Sequence, residues 1–351
     1  AAVIGLSGQF ELGADRSAKN ETQKQQEALV EQTVEEKRQQ LSDYEGLYNE
    51  QSIVLADTTK AAAEKLAEDL GARLRMTEAE DYAVLYLPEG MTVSDVYEDD
   101  AYRTWLTGME LDYYVSTAEV DANGSELHAA RPQYDLNDSE YAAQTYLDYL
   151  NLQDAWSVTR GSGVKVAVID TGIDTDHPEF EGRISQLSYD ASDDQLVKDY
   201  GLQVIEDENG HGTAVAGVIS AAMDNQVGIA GLAPDAELVV IKCDCDETGN
   251  FVRGSDLVFA LAYAIECDVD VVNMSFGTIF NVFEKYTQLA VESDVLCIAS
   301  AGNAGSSLCQ YPAADENVIG VGALSADSWT LADYSNYGDN SDLLAPGTVY
   351  T

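Results

Sequence analysis

Asp170 and His211 have the residue types and the local context of a proton-accepting pair. A carboxylate that holds one ring nitrogen of an imidazole fixes the tautomer in which the other nitrogen accepts a proton. Such a pair activates a hydroxyl nucleophile, which is too weak to react by itself near neutral pH. The two residues therefore point to nucleophilic catalysis assisted by a general base.

The segment before Asp170 predicts an element that would hold this carboxylate in place. Residues 164–169 are β-branched or small and apolar except for Lys165, a pattern typical of a strand buried on both faces of a parallel sheet. Asp170 would then lie at the carboxyl end of the strand, the edge where reactive groups gather in open α/β sheets. An isolated Asp after a strand is more often a turn residue, so its interpretation depends on His211.

The segment around His211 predicts the start of a helix. Asn209-Gly210 is a turn sequence, and the residues that follow give a helix face almost without side chains: Gly212, Ala214, Ala216 and Gly217. The chain has three histidines. His128 falls in a predicted linker and His177 in an Asp-His-Pro turn. His211 is therefore the candidate base, although a single His at a helix start is more often structural.

Two further apolar segments complete the pattern. The apolar segment 269–274 is followed by Ser275-Phe276-Gly277. The apolar segment 295–299 is followed by Ser300-Ala301-Gly302-Asn303. With the segments of Asp170 and His211, these motifs stand in the same order as in the subtilisin-like serine proteases, which the chain resembles from about Asp138 to its end. Each motif alone is a weak signal, whereas their agreement makes chance an unconvincing explanation.

The resemblance implies a subtilisin-like α/β domain of three layers with a mostly parallel sheet. It makes Asp170 the orienting acid, His211 the general base and Asn303 the amide that donates to the oxyanion. It also implies that protein or peptide substrates pair in extended form with one edge of the cleft. That edge is Ser275, Phe276 and Gly277, and the facing wall of the pocket is Ser300, Ala301 and Gly302. The alternative for both edges is ordinary core packing.

The nucleophile is the part of the pattern that is not found. In the family a serine on a helix follows an Ala-Pro-Gly signature, and Ala345-Pro346-Gly347 is present close to the end of the chain. We therefore expect the serine to lie beyond Thr351 and this segment alone to be inactive. Ser335 and Ser341 lack the helix-opening residues of the nucleophile and are predicted to be loop residues. Ala214 stands where many family members have a second histidine.

The N-terminal part predicts a separate α+β unit. Residues 1–50 are expected to form a helical or partly disordered leader. Residues 51–118 predict a ferredoxin-like βαββαβ domain, with strands at 52–56, 73–76, 82–87 and 109–115 and helices at 58–70 and 92–106. This order is similar to the inhibitory propeptides of subtilisin-like proteases. Residues 119–137 would be a linker with the maturation site, and residues 138–351 the catalytic domain. An unrelated binding module is the alternative for the first domain.

Composition limits the environment and the partners. The net charge of −45 excludes a general affinity for nucleic acid, and no apolar run is long enough to span a membrane. The acidity is spread along the chain and favours an exported zymogen, secreted or at the cell surface. An acidic loop before His211 is predicted to attract basic peptides. It contains Asp190, Asp193, Asp194, Glu206, Asp207 and Glu208.

The five cysteines do not define a disulfide framework. Cys267 and Cys297 lie in apolar surroundings that are typical of buried thiols. Spacing alone allows a bond from Cys309 to Cys243 or Cys245 without establishing it, and no zinc site is predicted.

Calcium is the cofactor that the resemblance implies. Residues 223–229 follow the histidine helix as the calcium loop of the family does, and Glu179 stands where a carboxylate ligand is expected. Oxygen ligands suit this hard cation. The predicted ligand set is Glu179, Met223, Asn225, Val227 and Ile229.

Two other functions compete with that of a peptidase. A related protein that has lost catalysis would serve as a binding or regulatory partner. A nucleotide-binding protein is suggested by Gly161-Ser162-Gly163 beside a strand, but these glycines precede the strand. A dinucleotide-binding motif follows its strand and opens a helix. The peptidase is therefore the leading prediction.

Overall fold

The computed structural model describes residues 16–117, 136–150, 152–243, 251–325, 330–349 and 351. Most of the predicted linker, with the maturation site, lies outside these ranges, and so do His128 and Cys245. The chain forms two compact units, Ala1–Tyr113 and Tyr114–Thr351. Within the described residues, no helix combines the length and apolar character needed to cross a membrane.

The first unit has the element order αβαββαβ. Its elements are α1 (Arg16–Asp43), β1 (Tyr48–Ala56), α2 (Lys60–Leu70), β2 (Arg73–Met76), β3 (Tyr82–Tyr86), α3 (Val93–Glu98) and β4 (Met109–Thr117), whose last residues belong to the second unit. The strands of the first unit form an antiparallel sheet in the order β4-β1-β3-β2. The βαββαβ part of this order is the one that the sequence pattern predicts.

Helix ends in the first unit follow from local chemistry. The Thr59 side chain accepts a hydrogen bond from Ala62 N at the start of α2, and Gly71 closes that helix in the left-handed conformation. The prediction of one helix over residues 92–106 is wrong. Helix α3 ends at Glu98, because the Asp99 side chain accepts from Ala101 N and starts a short 3₁₀ turn instead.

Helix α1 is only partly solvent-facing. Val34 is 1% exposed and Leu41 is 9% exposed. The apolar side of this mainly polar helix is therefore part of the packed first unit rather than a free leader.

The second unit contains an eight-stranded sheet and the remaining helices. In chain order its elements are α4 (Leu152–Val158), β5 (Lys165–Asp170), β6 (Tyr189–Asp190), β7 (Gln195–Leu196), α5 (Val197–Tyr200), α6 (His211–Ser220), β8 (Glu237–Lys242), β9 (Phe251–Arg253), α7 (Gly254–Glu266), β10 (Val271–Met274), β11 (Phe276–Gly277), α8 (Glu284–Glu292), β12 (Leu296–Ser300), β13 (Ile319–Leu324) and β14 (Leu343–Pro346).

The sheet order is β14-β13-β12-β10-β5-β8-β6-β7, and every pair is parallel except β6–β7. This confirms the predicted α/β class with a mostly parallel sheet. Strand β5 has β8 on one side and β10 on the other, and its residues 166–170 are buried. The uninterrupted apolar run of this strand follows from that double burial.

Apolar packing holds helix α6 on the sheet. One core cluster joins Ala216 of α6 to Val168 of β5 and Val240 of β8, and Ile173 and Ile205 from the intervening loops are fully buried in it. Burying side chains of this size contributes roughly 1.5–3 kcal/mol each. The cluster therefore fixes the helix that carries His211 against the strand that carries Asp170.

Candidate active site

Asp170 is the last residue of β5 and lies at the carboxyl edge of the sheet. Its carboxylate is buried, and Oδ1 accepts a hydrogen bond from Thr171 N at 2.8 Å. Oδ2 is buried and has no hydrogen-bond partner among the described residues. Thr171 thus gives this buried carboxylate one hydrogen bond, and a second donor to Oδ1 comes from a neighbouring element.

His211 is that donor. It is the first residue of α6, and its Nδ1 lies 2.7 Å from Asp170 Oδ1. Both side chains are buried. This contact makes Nδ1 the protonated nitrogen, since the ionised carboxylate can only accept. The structure therefore brings the predicted acid and base together in the geometry that leaves Nε2 able to accept a proton.

Close approach of helix and strand makes this contact possible. A Cβ atom on Gly212 would lie 3.2 Å from Asp170 Cβ, 3.0 Å from Gly172 N and closer still to Gly172 O. Gly172 itself has a φ of 113° and faces the Ile205 carbonyl. The helix start therefore tolerates only glycine after His211 if the imidazole is to reach the strand end.

Side chains from the loops satisfy the free N–H groups at the start of α6, because Gly210 in the cap position has no side chain to do so. His211 N donates to Asn209 Oδ1 at 3.1 Å, and Gly212 N donates to Thr171 Oγ1 at 2.9 Å. Thr213 N donates to Asp207 Oδ2 at 2.9 Å. These bonds connect the acid loop directly to the base helix.

The pKa of His211 lies above its ordinary value. Burial by itself would lower the pKa, because it disfavours the charged imidazolium. The hydrogen bond and the negative charge of Asp170, together with the charge of Asp207, outweigh burial and raise it. The site thus stabilises the imidazolium that a general base forms when it takes a proton.

Asn303 follows β12 and is exposed. Strand β12 is parallel to β10, which is parallel to β5, so the carboxyl ends of all three strands lie on one edge of the sheet. Asn303 and Asp170 therefore lie at the same edge, with the end of β10 between their strands. Gly302 precedes Asn303 with a φ of 106°.

The two predicted walls are joined at one end by residues 310 and 311. Gln310 N donates to Ala301 O at 2.9 Å, while Tyr311 and Thr278 exchange two main-chain hydrogen bonds of 2.8 and 2.9 Å. The Gln310 side chain extends between the walls, and a Cβ atom on Gly277 or on Gly302 would collide with its Oε1. The Gln310 amide therefore lies between Gly277 of one wall and Gly302 of the other.

An extended segment of the second unit pairs with the first wall. Ser116 and Thr117 lie opposite Gly277 and Phe276 in an antiparallel ladder, and residues 114–116 pair on their other side with β9. Ser116 Oγ is 3.4 Å from Gly277 O. The edge at residues 276–277 is therefore paired with an antiparallel strand of this chain.

Ser335 and Ser341 do not act as exposed nucleophiles. Ser335 is 1% exposed, accepts from Ala323 N at 2.8 Å and donates to Asn336 O at 2.9 Å. Ser341 Oγ is buried. These positions agree with loop residues that serve the structure.

The side-chain oxygens of two predicted metal ligands already accept hydrogen bonds. Glu179 Oε1 accepts from Ile229 N and Oε2 accepts from Asn225 Nδ2, each at 2.8 Å, and Asn225 Oδ1 accepts from Val227 N. The other predicted ligands are the main-chain carbonyls of Met223, Val227 and Ile229, and oxygen donors of these three kinds are the ones that suit Ca²⁺. Among the described residues no group of three or more acidic, His or Cys side chains suits a metal.

Several carboxylates of the predicted acidic loop accept hydrogen bonds from neighbouring groups. Asp190 is buried and accepts from Ser192 N, Asp194 accepts from Tyr189 OH, and Glu206 accepts from the Thr175 hydroxyl. Asp207 accepts from several groups of the site. Most of these carboxylates hold loops together, so composition alone overstates their availability to substrate.

The four cysteines that the structure describes are free thiols. Cys309 is a free thiol, so neither of the disulfides that its spacing allows is formed. Burial raises the pKa of Cys297 to about 12, which keeps that thiol protonated and unreactive.

Sequence reasoning missed the roles of Asp207 and Thr171. Asp207 stands in an acidic run and looks solvated in the sequence, whereas its carboxylate is half-buried and surrounded by donors. Thr171 has the sequence context of an ordinary turn residue. The one local signal was the position of Asp207 just ahead of a helix start that lacks a capping side chain.

Comparisons with known proteins identify the family of the chain. The chain is 39% identical over 213 residues to the Thermophilic serine proteinase of Bacillus sp. (strain AK1), covering 59% of this chain and 49% of that protein. It is 39% identical over 204 residues to the Intracellular serine protease of Paenibacillus polymyxa, covering 55% of this chain and 59% of that protein. The chain thus spans about half the length of these relatives.

Among solved structures, fervidolysin from Fervidobacterium pennivorans, described as a keratinolytic enzyme related to subtilisin, has the same fold. The TM-score is 0.71 at 23% identity, over 86% of this chain and 47% of that one. Residues 161–351, more than half of the chain, match the Subtilase family. Since this match includes the strand of Asp170, the helix of His211 and both walls, the chain belongs to the Subtilase family.

Proposed function

We propose that the intact protein is a subtilisin-like serine endopeptidase and that Asp170 and His211 form the acid and base of its triad. The observation that carries the proposal is the 2.7 Å contact between Asp170 Oδ1 and His211 Nδ1 at the carboxyl edge of the sheet. The nucleophile is a serine that follows Thr351 in the intact protein. Its hydroxyl proton passes to His211 Nε2 during attack and then to the departing amine.

In this mechanism Asn303 donates its amide proton to the oxygen of the tetrahedral intermediate. A neutral amide suits the role because it donates without losing a proton, and losing such a donor costs about 2.7–4 kcal/mol in subtilisin. The exposure of Asn303 at the same sheet edge as Asp170 supports the assignment. Substitution by Leu should lower kcat with little change in KM.

Substrate would add as a strand to residues 275–277 and place the side chain before the scissile bond between the two walls. The ladder that Ser116 and Thr117 make with Gly277 and Phe276 supports this mode of pairing. In this proposal Ser300, Ala301 and Gly302 form the opposite wall, and the Gln310 side chain beside Gly277 and Gly302 supports a pocket floor at that position. Main-chain pairing gives affinity and the pocket gives selectivity.

The central experiment compares Asp170→Asn with Asp176→Asn in the intact protein. Asp170→Asn should lower kcat by about 10⁴-fold, because the amide favours the wrong histidine tautomer. Asp176 is an exposed carboxylate of the following loop and serves as the matched control. A fluorophosphonate probe should label one serine in the unmodified protein. Absence of both hydrolysis and labelling would instead favour the alternative of an inactive regulatory protein.

The N-terminal unit is proposed to act as a propeptide that inhibits the enzyme before maturation in the linker. Its βαββαβ order and the strand pairing of residues 114–117 in the second unit support this role. Residues 1–118 added to mature enzyme should inhibit competitively. An unrelated ferredoxin-like module would leave the rate unchanged.

Secretion is proposed on the high negative charge of the chain. The intracellular name of one relative is the reason to test it directly. The protein should be recovered from culture medium or the cell surface rather than from the cytosolic fraction.

Calcium is proposed as a structural ligand of the loop that contains Met223, Asn225, Val227 and Ile229. Each Glu179 oxygen accepts one N–H and keeps a second lone pair for a cation, so the carboxylate can supply a ligand without losing these hydrogen bonds. Calorimetric titration with Ca²⁺ and melting with and without chelator test the proposal. Equal melting temperatures and no heat of binding would exclude it.

A further inference from the structure

Asp207 connects the loop that carries the acid to the helix that carries the base. We propose that Asp207 is a positioning residue that keeps Asp170 and His211 in register for catalysis. The inference rests on the proposed peptidase function and assigns a role to a residue outside the expected triad. Its carboxylate accepts five hydrogen bonds from groups on both sides of the Asp170–His211 contact.

One carboxylate oxygen faces the acid loop and the turn before the helix. Asp207 Oδ1 accepts from Thr171 Oγ1 at 2.8 Å and from Asn209 N and Gly210 N at 2.9 Å each. Thr171 directly follows Asp170, and Gly210 directly precedes His211. A single oxygen thus fixes the immediate neighbours of both members of the pair.

The other oxygen holds the first turn of the helix. Asp207 Oδ2 accepts from Thr213 N at 2.9 Å and from Thr213 Oγ1 at 2.6 Å. Thr213 Oγ1 in turn accepts from Asp174 N at 2.9 Å, which leads back to the acid loop. The carboxylate therefore replaces the missing capping side chain at this helix start.

Thr171 completes the connection on the opposite side. Its hydroxyl donates to Asp207 and accepts from Gly212 N at 2.9 Å. Main-chain bonds add to it, since Asp207 N donates to Ile173 O at 3.1 Å. The imidazole of His211 is therefore held between two residues, Gly210 and Gly212, whose N–H groups both depend on this network.

Only an ionised carboxylate satisfies all these donors, because both of its oxygens accept and neither donates. Burial alone would raise the pKa of Asp207, but the hydrogen bonds from Thr213, Gly210 and Thr171 outweigh it and lower the pKa. An amide at this position would turn its NH₂ group toward donors on one side. Either the acid loop or the helix start would then lose its anchor.

The test compares Asp207→Asn with Asp176→Asn in the intact protein, using an uncharged peptide substrate. Asp176 is an exposed carboxylate, so its substitution makes the same change of side chain without removing the five bonds. Asp207→Asn should lower kcat by roughly 10- to 100-fold with KM within about twofold, the loss expected from misplacing a catalytic group by a fraction of an ångström. Asp176→Asn should retain the original kcat.

A second pair tests the same network without altering Asp207. Thr171→Val removes the bridging hydroxyl, whereas Thr171→Ser keeps it. Activity should fall in the first variant and be retained in the second, which a general loss of packing would not produce. This pair also decides the matter if Asp207→Asn fails to fold.

Proton NMR of the His211 Nδ1–H signal provides a readout that does not depend on turnover. The signal should be lost or exchange-broadened in Asp207→Asn and preserved in Asp176→Asn. If no variant hydrolyses peptides, the proposed function fails while this signal still tests the role of Asp207. Equal kcat values for Asp207→Asn and Asp176→Asn, equal activities for the two Thr171 variants, or an unchanged signal would overturn the inference.

Discussion

Adding one methyl group at Gly212 should separate the acid from the base. The Cβ atom of Gly212→Ala would lie 3.0 Å from Gly172 N and 3.2 Å from Asp170 Cβ, and closer still to Gly172 O, whereas ordinary contacts are 3.4–4 Å. These neighbours are mainly backbone atoms and cannot rotate away. The start of α6 must therefore retreat from the strand by on the order of 1 Å in an interior that is already close-packed.

The expected magnitude follows from the present contact. Asp170 Oδ1 and His211 Nδ1 are now 2.7 Å apart. If this distance grows by about 1 Å, it becomes too long for a hydrogen bond. A displacement of this size typically lowers kcat/KM by about 10²-fold. Overpacking should also lower the free energy of unfolding by about 1–3 kcal/mol.

The assay is hydrolysis of a peptide anilide by the intact protein, normalised to titrated active sites, together with urea unfolding. Gly217→Ala is the matched control because it makes the same change in the same helix. Its new methyl group would meet Thr351 Oγ1, the end of a rotatable side chain, and Ile229 Cδ1 at 3.6 Å. Equal kcat/KM values for the two variants would refute the close-approach argument.

Three other predictions concern titration, salt and selectivity. Because folding raises the pKa of His211, its protonation contributes stability that is complete below its unfolded pKa of about 6.5 and lost as pH rises through the folded pKa. The difference in unfolding free energy between the unmodified protein and His211→Gln should therefore be larger at about pH 5.5 than at about pH 9. A difference that does not change with pH would contradict the raised pKa of His211. With a net charge of −45, the melting temperature should rise between about 0.01 and 1 M NaCl, as the screening length falls from about 30 to 3 Å; an unchanged melting temperature would mean that self-repulsion does not limit stability. Gln310→Gly should remove the side chain that lies between Gly277 and Gly302 and raise kcat/KM for large aromatic residues relative to alanine before the scissile bond by about tenfold or more, whereas unchanged selectivity would place the specificity pocket elsewhere.

The elements that carry Asp170 and His211 were predictable because their signals are local. The apolar run before Asp170 predicts a strand buried on both faces, and β5 ends at that residue. The Asn-Gly turn before His211 predicts a helix start, and α6 begins there. The helix predicted over residues 92–106 failed because an Asp99 hydrogen bond ended it early, a competition that periodicity does not express.

Residue types and their order along the chain determined the fold class, the family and the candidate acid and base. These depend on hydrophobic periodicity and on short motifs, both of which the sequence displays directly. Only the tertiary structure decided that the half-buried Asp207 carboxylate accepts hydrogen bonds from the start of α6, that the Gln310 side chain lies beside Gly277 and Gly302 and that Glu179 already accepts two N–H groups. The physical reason is that a carboxylate or an amide has the same appearance in a sequence whether it faces water or donors. Its role is set by partners that folding brings from other segments of the chain.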